Sequence, residues 1–235
     1  MRYKIKNLIN AMRCVLRVAR NKGMTYVELI VVLSIFAIMS SIVLFNYGKF
    51  QAKVDINNLA NDIALKIVQA QKDAMSGKLP TQTPFVSPWK PSYGVYFDPT
   101  VHYKFIYFTD LYNSKYYNSS SCTPPITIES GDCLDEINIT KGNYISELKV
   151  YRNDNTTEIL ATNLSITFTR PNSGAFFESN GLPLEDVSYI QITITSPQSV
   201  SARIKLYSSG RVEILPGLTQ SSLNESVPID NTQVS

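Results

Sequence analysis

A long apolar run near the N-terminus constrains this chain more than any other feature of its sequence. From Leu29 to Phe45 no residue is charged, and the only polar residues are three serines. Counted from Met24, the run has about the 20 residues that a helix needs to cross the hydrocarbon layer of a membrane. Because backbone polar groups find no water there, the sequence predicts a helix in this segment. A simple membrane anchor would satisfy the same pattern.

Glu28 is the one charged residue inside this run. A carboxylate in a membrane segment costs on the order of 3 kcal/mol, so such a residue usually has a function. Gly23 is a small residue between a basic leader and the apolar run. Cleavage after Gly23 would create a new N-terminus at Met24, one helical turn from Glu28. The expected counter-charge for Glu28 is therefore the α-amino group of this chain or of a neighbouring copy.

The stretch 23–33 resembles the class III signal of type IV prepilins and type II secretion pseudopilins. The resemblance implies that a prepilin peptidase cuts after Gly23 and that Met24 is then N-methylated. It also implies that Glu28 is needed for assembly with other pilins or pseudopilins at an inner-membrane assembly platform. Before assembly, the apolar helix would lie in membrane lipid. Many pilins have a proline near the end of this run, where this chain has Phe45, so the helix is expected to stay straight.

Residues 1–23 form a basic leader that contains seven of the 22 Lys and Arg residues and no acidic residue. Positive flanking charge stays in the cytoplasm, which predicts a single-pass inner-membrane protein with its N-terminus inside and its head outside. The head would later enter a pilus or pseudopilus, in the periplasm or at the cell surface. Without the leader the chain has 15 basic and 19 acidic residues, a net charge of −4. Nucleic acid is therefore an unexpected partner unless a local basic patch binds it.

The apolar half of the helix, residues 24–45, is predicted to continue into an amphipathic half, residues 46–76. Apolar residues recur there at three- and four-residue spacing: Ile56, Leu59, Ala60, Ile63, Ile67, Ala70 and Ala74. This spacing predicts one stripe that packs against the following domain. Gly77 lies where a C-terminal helix cap is expected.

Residues 77–215 are predicted to form a β-rich head, because β-branched and aromatic residues recur in short alternating runs. The candidate strands are Gly94–Phe97, Tyr103–Thr109, Leu148–Arg152, Glu158–Leu160, Leu164–Thr169, Tyr189–Thr195, Ala202–Tyr207 and Val212–Leu215. The predicted fold class is α+β, with the long N-terminal helix packed on an antiparallel β-sheet or sandwich, as in pilins. Residues 98–147 are interpreted as a variable insertion, and residues 216–235 as a flexible tail.

The last part of the head, residues 164–215, resembles the GspH/FimT-like domain of minor pseudopilins. The resemblance rests on a series of strands and turns that ends in a hairpin at Gly210-Arg211-Val212. This pattern is less specific than the N-terminal signal. The resemblance implies a minor pseudopilin with a GspH-like head.

Cys122 and Cys133 are the only cysteines after the leader. An even pair in an exported domain favours a disulfide, and two free buried thiols are the alternative. The single histidine, His102, makes a metal site unexpected. Three acidic residues near Cys133 leave a calcium site as a weaker hypothesis: Asp132, Asp135 and Glu136.

The functional hypothesis is a minor pilin or pseudopilin of a type IV pilus or type II secretion system. The sequence contains no P-loop, HExxH, GxGxxG or GxSxG motif, so neither an enzyme nor a cofactor is expected. Five tyrosines between positions 103 and 117 suggest either a binding patch or a mixture of strand core and amphipathic rim. The alternatives are a membrane-anchored surface adhesin, a DNA-uptake receptor on the same anchor, and a major pilin.

Overall fold

The computed structural model describes residues 24–80, 91–118, 122, 131–154 and 158–219. The predicted leader and most of the predicted tail lie outside these residues. The chain forms two compact units that divide between Gly48 and Lys49. The first unit contains the start of a single long helix, α1 (Tyr26–Ser76), and the second contains the rest of that helix and all the strands.

In the first unit, α1 is apolar on all sides. Every described side chain from Tyr26 to Gly48 is exposed except Ser40, which is half-buried. The helix is long and apolar enough to cross a membrane, and none of its apolar window is buried within the protein. A helix with no polar face needs apolar surroundings, so membrane anchoring fits this segment. The prediction of a helix that continues past Phe45 without a break is confirmed.

In the second unit, α1 buries the predicted stripe. Six of its seven members are buried, and the seventh, Leu59, is partly buried against the same core. The helix ends as predicted at Gly77, which has a φ of +65°. The Gly77 N–H donates to the Ala74 carbonyl at 3.1 Å, and the Lys78 N–H donates to the Asp73 carbonyl at 3.2 Å. These two bonds form a Schellman cap, which a glycine at positive φ permits without strain.

Eleven strands follow in the described part of the chain: β1 (Ser92–Phe97), β2 (Lys104–Asp110), β3 (Cys133–Asn138), β4 (Tyr144–Arg152), β5 (Glu158–Leu160), β6 (Leu164–Thr169), β7 (Asn172–Ser179), β8 (Leu182–Pro183), β9 (Val187–Thr195), β10 (Val200–Tyr207) and β11 (Val212–Thr219). They form two antiparallel sheets. Sheet 1 has the order β3-β2-β1-β6-β7-β8, and sheet 2 has the order β11-β10-β9-β4-β5.

Both sheets and the buried stripe of α1 share one hydrophobic core. In β10, for example, alternate residues are buried, so the inner face carries the aliphatic side chains and the outer face carries Ser201, Arg203, Lys205 and Tyr207. This alternation is what a strand with one buried face requires. The coarse fold prediction, one long N-terminal helix with antiparallel β-structure in an α+β fold, is confirmed.

The described residues of the stretch 98–147, which is interpreted as a variable insertion, contribute strands to both sheets. They form β2, β3 and the start of β4, together with a short 3₁₀ helix, Pro99–Val101. Strand β2 lies inside sheet 1, between β3 and β1. The sequence of β3 gave little signal, because its Asp and Glu residues are depleted in strands and it occupies an edge.

The predicted tail begins too early, since β11 continues to Thr219. Pro216 and Gly217 are the first two residues of the predicted tail. The pairing between β10 and β11 changes register at this point: Ser201 lies opposite Leu218, whereas Arg203 lies opposite Leu215. The two intervening β11 residues form a bulge, and β11 is an edge strand, where a proline without an N–H is tolerated.

Candidate functional site

The N-terminal end of α1 is the first candidate site, and Thr25 fixes its geometry. The Thr25 Oγ1 atom accepts a hydrogen bond from the Glu28 N–H at 3.3 Å, and the Thr25 carbonyl accepts from the Leu29 N–H at 3.1 Å. Thr25 is therefore the N-cap, and Glu28 is the third residue of the helix. Threonine followed three residues later by glutamate is the capping-box spacing. This spacing can be read directly from the sequence.

Glu28 and Met24 both present their side chains to the surroundings. Met24 is 63% exposed, and Glu28 is exposed in the first turn of α1. Among the residues that the structure describes, no cation forms an ion pair with Glu28. A negative charge in the first turn interacts favourably with the helix dipole. Gly23, the predicted cleavage residue, lies outside the described residues.

A second candidate site lies on the outer face of sheet 1, where residues 111–118 form a segment that we call the strap. The Asp110 carboxylate, at the end of β2, holds its first half. Its Oδ1 atom accepts from the backbone N–H groups of Tyr112 and Ser114 at 3.2 and 2.9 Å, and its Oδ2 atom accepts from that of Lys115 at 2.8 Å. Asp110 is fully buried, so these bonds replace the water that its charge has lost.

Asp132 holds both ends of the strap. Its Oδ1 atom accepts from the Leu111 N–H and its Oδ2 atom accepts from the Asn118 N–H, each at 3.1 Å. The next residue, Cys133, forms a disulfide with Cys122, and their Cα atoms are 5.5 Å apart. Two buried carboxylates and one disulfide therefore converge on this segment.

The strap also contacts sheet 1 directly. The Thr167 hydroxyl donates to the Lys115 carbonyl at 2.7 Å, and the Tyr117 N–H donates to the Ser165 hydroxyl at 3.2 Å. Under the strap lies a second, smaller hydrophobic cluster. Its members are Ile106, Phe108 and Cys133, with Tyr96, Tyr117 and Cys122 packed against them.

Burial raises the pKa of the Asp132 carboxyl to about 6. The Leu111 and Asn118 N–H groups lower this pKa, and the nearby negative charge of Asp110 raises it further. The raised pKa means that the ionised carboxylate is less favourable here than in water.

The three acidic residues of the calcium hypothesis do not converge. Asp132 binds the strap, Asp135 pairs with Lys66 at 3.1 Å, and Glu136 pairs with Lys104 at 2.8 Å. Within the described ranges, no group of three or more His, Cys, Asp or Glu residues could hold a metal ion. The calcium hypothesis therefore has no geometric basis in these residues.

The tyrosines between positions 103 and 117 are divided between core and surface. Tyr107 is buried, and its hydroxyl donates to the Asp73 carboxylate at 2.6 Å. Burial raises its pKa, and the Asp73 contact adds to the rise. Tyr103 and Tyr112 are exposed, and Tyr117 belongs to the strap. This division matches the interpretation of strand core and rim rather than one binding patch.

These features define a class of protein: an α+β chain with one apolar N-terminal helix, able to span a membrane, and a head of two antiparallel sheets. Comparison with known proteins finds no matching family model, no matching curated protein and no matching solved structure.

Proposed function

We propose that this protein is a pilin-like structural subunit, a minor pilin or pseudopilin of a type IV pilus or type II secretion system. One observation carries the proposal. The capped helix start places an exposed Glu28 one turn after Met24, and the helix that follows is apolar on every side. A membrane anchor alone needs the apolar helix, but it does not need the carboxylate.

The helix start supplies a mechanism for assembly. After cleavage by the peptidase, Met24 would carry a positive amine, and the Glu28 carboxylate of a neighbouring subunit would neutralise it. The Thr25 cap orders the first turn and so limits the positions that Glu28 can take. Side-by-side packing of apolar helices would surround the pair with a dry environment. Removal of one member of such a buried pair leaves an uncompensated charge, which costs about 3–5 kcal/mol.

The test compares Glu28→Gln with Asp62→Asn in cells that make the native apparatus. Both variants remove one exposed carboxylate from α1, but only the first removes it from the apolar half. We expect Glu28→Gln to be cleaved normally and to be lost from sheared filaments or purified pseudopilus complexes. Asp62→Asn should be incorporated like the wild type. Normal incorporation of Glu28→Gln would refute the charge-pairing mechanism.

A DNA-uptake receptor on the same anchor is the second candidate, and one observation on the outer face of sheet 2 favours it. Tyr151, Tyr189 and Tyr207 stand in register on three adjacent strands. The Lys205 ammonium lies 4.8 Å from the Tyr189 ring centroid, and the Arg211 guanidinium lies 4.0 Å from that of Tyr207. Tyrosine rings beside cations are the groups that bind single-stranded nucleic acid.

The three tyrosine rings could also be aligned simply because they pack across neighbouring strands. The proposed DNA-uptake function therefore needs a direct test. A gel shift of the full chain with single-stranded DNA at several salt concentrations supplies it. If the face binds DNA, Lys205→Ala should weaken the shift, whereas Lys53→Ala on α1 should not. Equal gel shifts for the two variants would refute DNA binding by this face. The adhesin and major-pilin alternatives stay predictions of the sequence.

A further inference from the structure

A cavity of about 250 Å³ opens on the outer face of sheet 1, between the strap and the 3₁₀ helix. Its lining combines aromatic, aliphatic and charged side chains: Tyr96, Asp98, Val101, Lys104, Ile106 and Tyr117. The proposed assembly mechanism uses none of these residues. The cavity is the size of a small polar head group rather than of a drug-like ligand.

Two tyrosine rings form one wall of this cavity. The ring centroids of Tyr96 and Tyr117 are 5.0 Å apart, and their planes are tilted by 32°. Tyr96 projects from β1, and the strap positions Tyr117. The face of an aromatic ring carries a partial negative charge, which attracts a cation within about 6 Å.

The Asp98 carboxylate is held rigidly at the rim of the cavity. Its Oδ1 atom accepts from the Thr100 N–H at 2.8 Å and from the Thr100 hydroxyl at 2.6 Å, so it caps the 3₁₀ helix. The Lys104 ammonium, on the same wall, forms an ion pair with Glu136 at 2.8 Å. The one cation of the lining is thereby paired, whereas Asp98 forms no ion pair with any residue that the structure describes.

The Glu178 carboxyl group lies behind the rings. Tyr96 pairs with Ser165, and Ser165 pairs with Glu178, so Tyr96 and Glu178 share the outer face of sheet 1. Burial raises the pKa of Glu178, and its Oε1 atom is buried without a hydrogen-bond partner among the described residues. Burial also raises the pKa of Tyr96 to about 12, and the charges of Asp98 and Glu178 contribute to that rise.

We propose that this cavity binds the alkylammonium head of a small organic cation. The ring faces and the Asp98 carboxylate attract a positive group, and Val101 and Ile106 contact the alkyl part. The carboxylates would repel an anion, and they would not attract a neutral ligand electrostatically. The same head group occurs on free solutes such as choline and on zwitterionic lipids.

The test is a ligand-observed NMR titration of the full chain in maltoside micelles, whose head groups carry no charge. Choline chloride is the probe. Its neutral isostere, 3,3-dimethylbutan-1-ol, has the same shape without the positive charge. We expect saturable binding of choline, and binding of the alcohol that is about tenfold weaker. Equal affinities, or no saturable binding of choline up to about 10 mM, would overturn the proposal.

Variants locate the binding and separate it from folding. Tyr96→Leu should weaken choline binding about tenfold, whereas Tyr96→Phe, which keeps the ring, should retain it. Asp98→Asn should weaken binding while it keeps the oxygen that caps the 3₁₀ helix. The matched control is Tyr112→Leu, at a tyrosine that is 61% exposed and outside the cavity.

The Tyr112→Leu control shows whether a loss of choline binding is specific to the cavity. Equal losses in the Tyr96→Leu and Tyr112→Leu variants would contradict the assigned site, provided that circular dichroism shows both chains folded. Mixed micelles of maltoside and phosphatidylcholine distinguish the two sources of the head group. Competition between the micellar phosphatidylcholine and choline supports the cavity as a lipid contact, and choline binding without competition supports a free solute.

Discussion

Replacement of Ile63 by alanine tests the packing of α1 on the sheets. Ile63 is 0% exposed, at the centre of the stripe that the sequence predicts to be buried. The change removes three carbon atoms, which contribute about 0.8 kcal/mol each through burial. The cavity that remains adds a further cost, so we expect unfolding to become easier by about 3–4 kcal/mol. For a head of this size that corresponds to a fall in Tm of about 6–16 °C.

The matched control is Leu65→Ala, two residues further along the same helix. Leu65 is 66% exposed, so its truncation should change the stability by less than about 0.5 kcal/mol. Both variants of the full chain are measured in maltoside by thermal and denaturant unfolding, with circular dichroism as the signal. Equal effects of the two substitutions would refute the assignment of this helix face to the core.

Three further predictions concern the strap and the helix end. Because the folded pKa of Asp132, about 6, lies above its ordinary value of 3.8, its ionised form is destabilising. Its contribution to stability should therefore increase as the pH falls from about 7 towards 4, and Asp132→Asn should flatten that part of the pH profile. Reduction of the disulfide between Cys122 and Cys133 should lower the stability by about 2–3 kcal/mol, measured by unfolding with and without reductant. Gly77→Ala should destabilise by about 1 kcal/mol because of its positive φ, whereas Gly48→Ala, inside α1 with no atom near the added carbon, should be neutral or stabilising.

Each of these predictions has a contrary result. A Tm that falls steadily between pH 7 and about pH 5 in the wild type, with the same slope in Asp132→Asn, would contradict the charge assignment. An unchanged unfolding midpoint after reduction would show that the disulfide does not constrain the strap. Equal changes in stability for Gly77→Ala and Gly48→Ala would contradict the role of Gly77 as a helix cap.

Patterns local in sequence predicted much of this fold. The three- and four-residue spacing in α1 identified the buried stripe, because a helix repeats every 3.6 residues. Alternation identified β9 and β10, and the structure extends each strand by two residues. Gly77 was recognisable because a left-handed cap favours glycine.

What the sequence did not predict depends on contacts between distant residues. Asp110 and Asp132 are ordinary surface acids by composition, and only the fold buries them under the strap. Strand β3 contains acidic residues that reduce its signal, and its pairing with β2 decides its conformation. Strand β11 continues beyond Pro216 because a bulge accommodates the proline, and no local sequence pattern predicts that bulge. The cavity beside Tyr96 likewise depends on a 3₁₀ helix and a strap that meet only after folding.

Intact mass and N-terminal sequencing of the protein from its native membrane test the proposed function most directly. Prepilin processing predicts a chain that begins at an N-methylated Met24, with Glu28 as its fifth residue. A chain that still carries residues 1–23 would contradict prepilin processing. The protein would then be a membrane-anchored surface domain. The charge of Glu28 in the apolar helix would need a partner other than a new N-terminus.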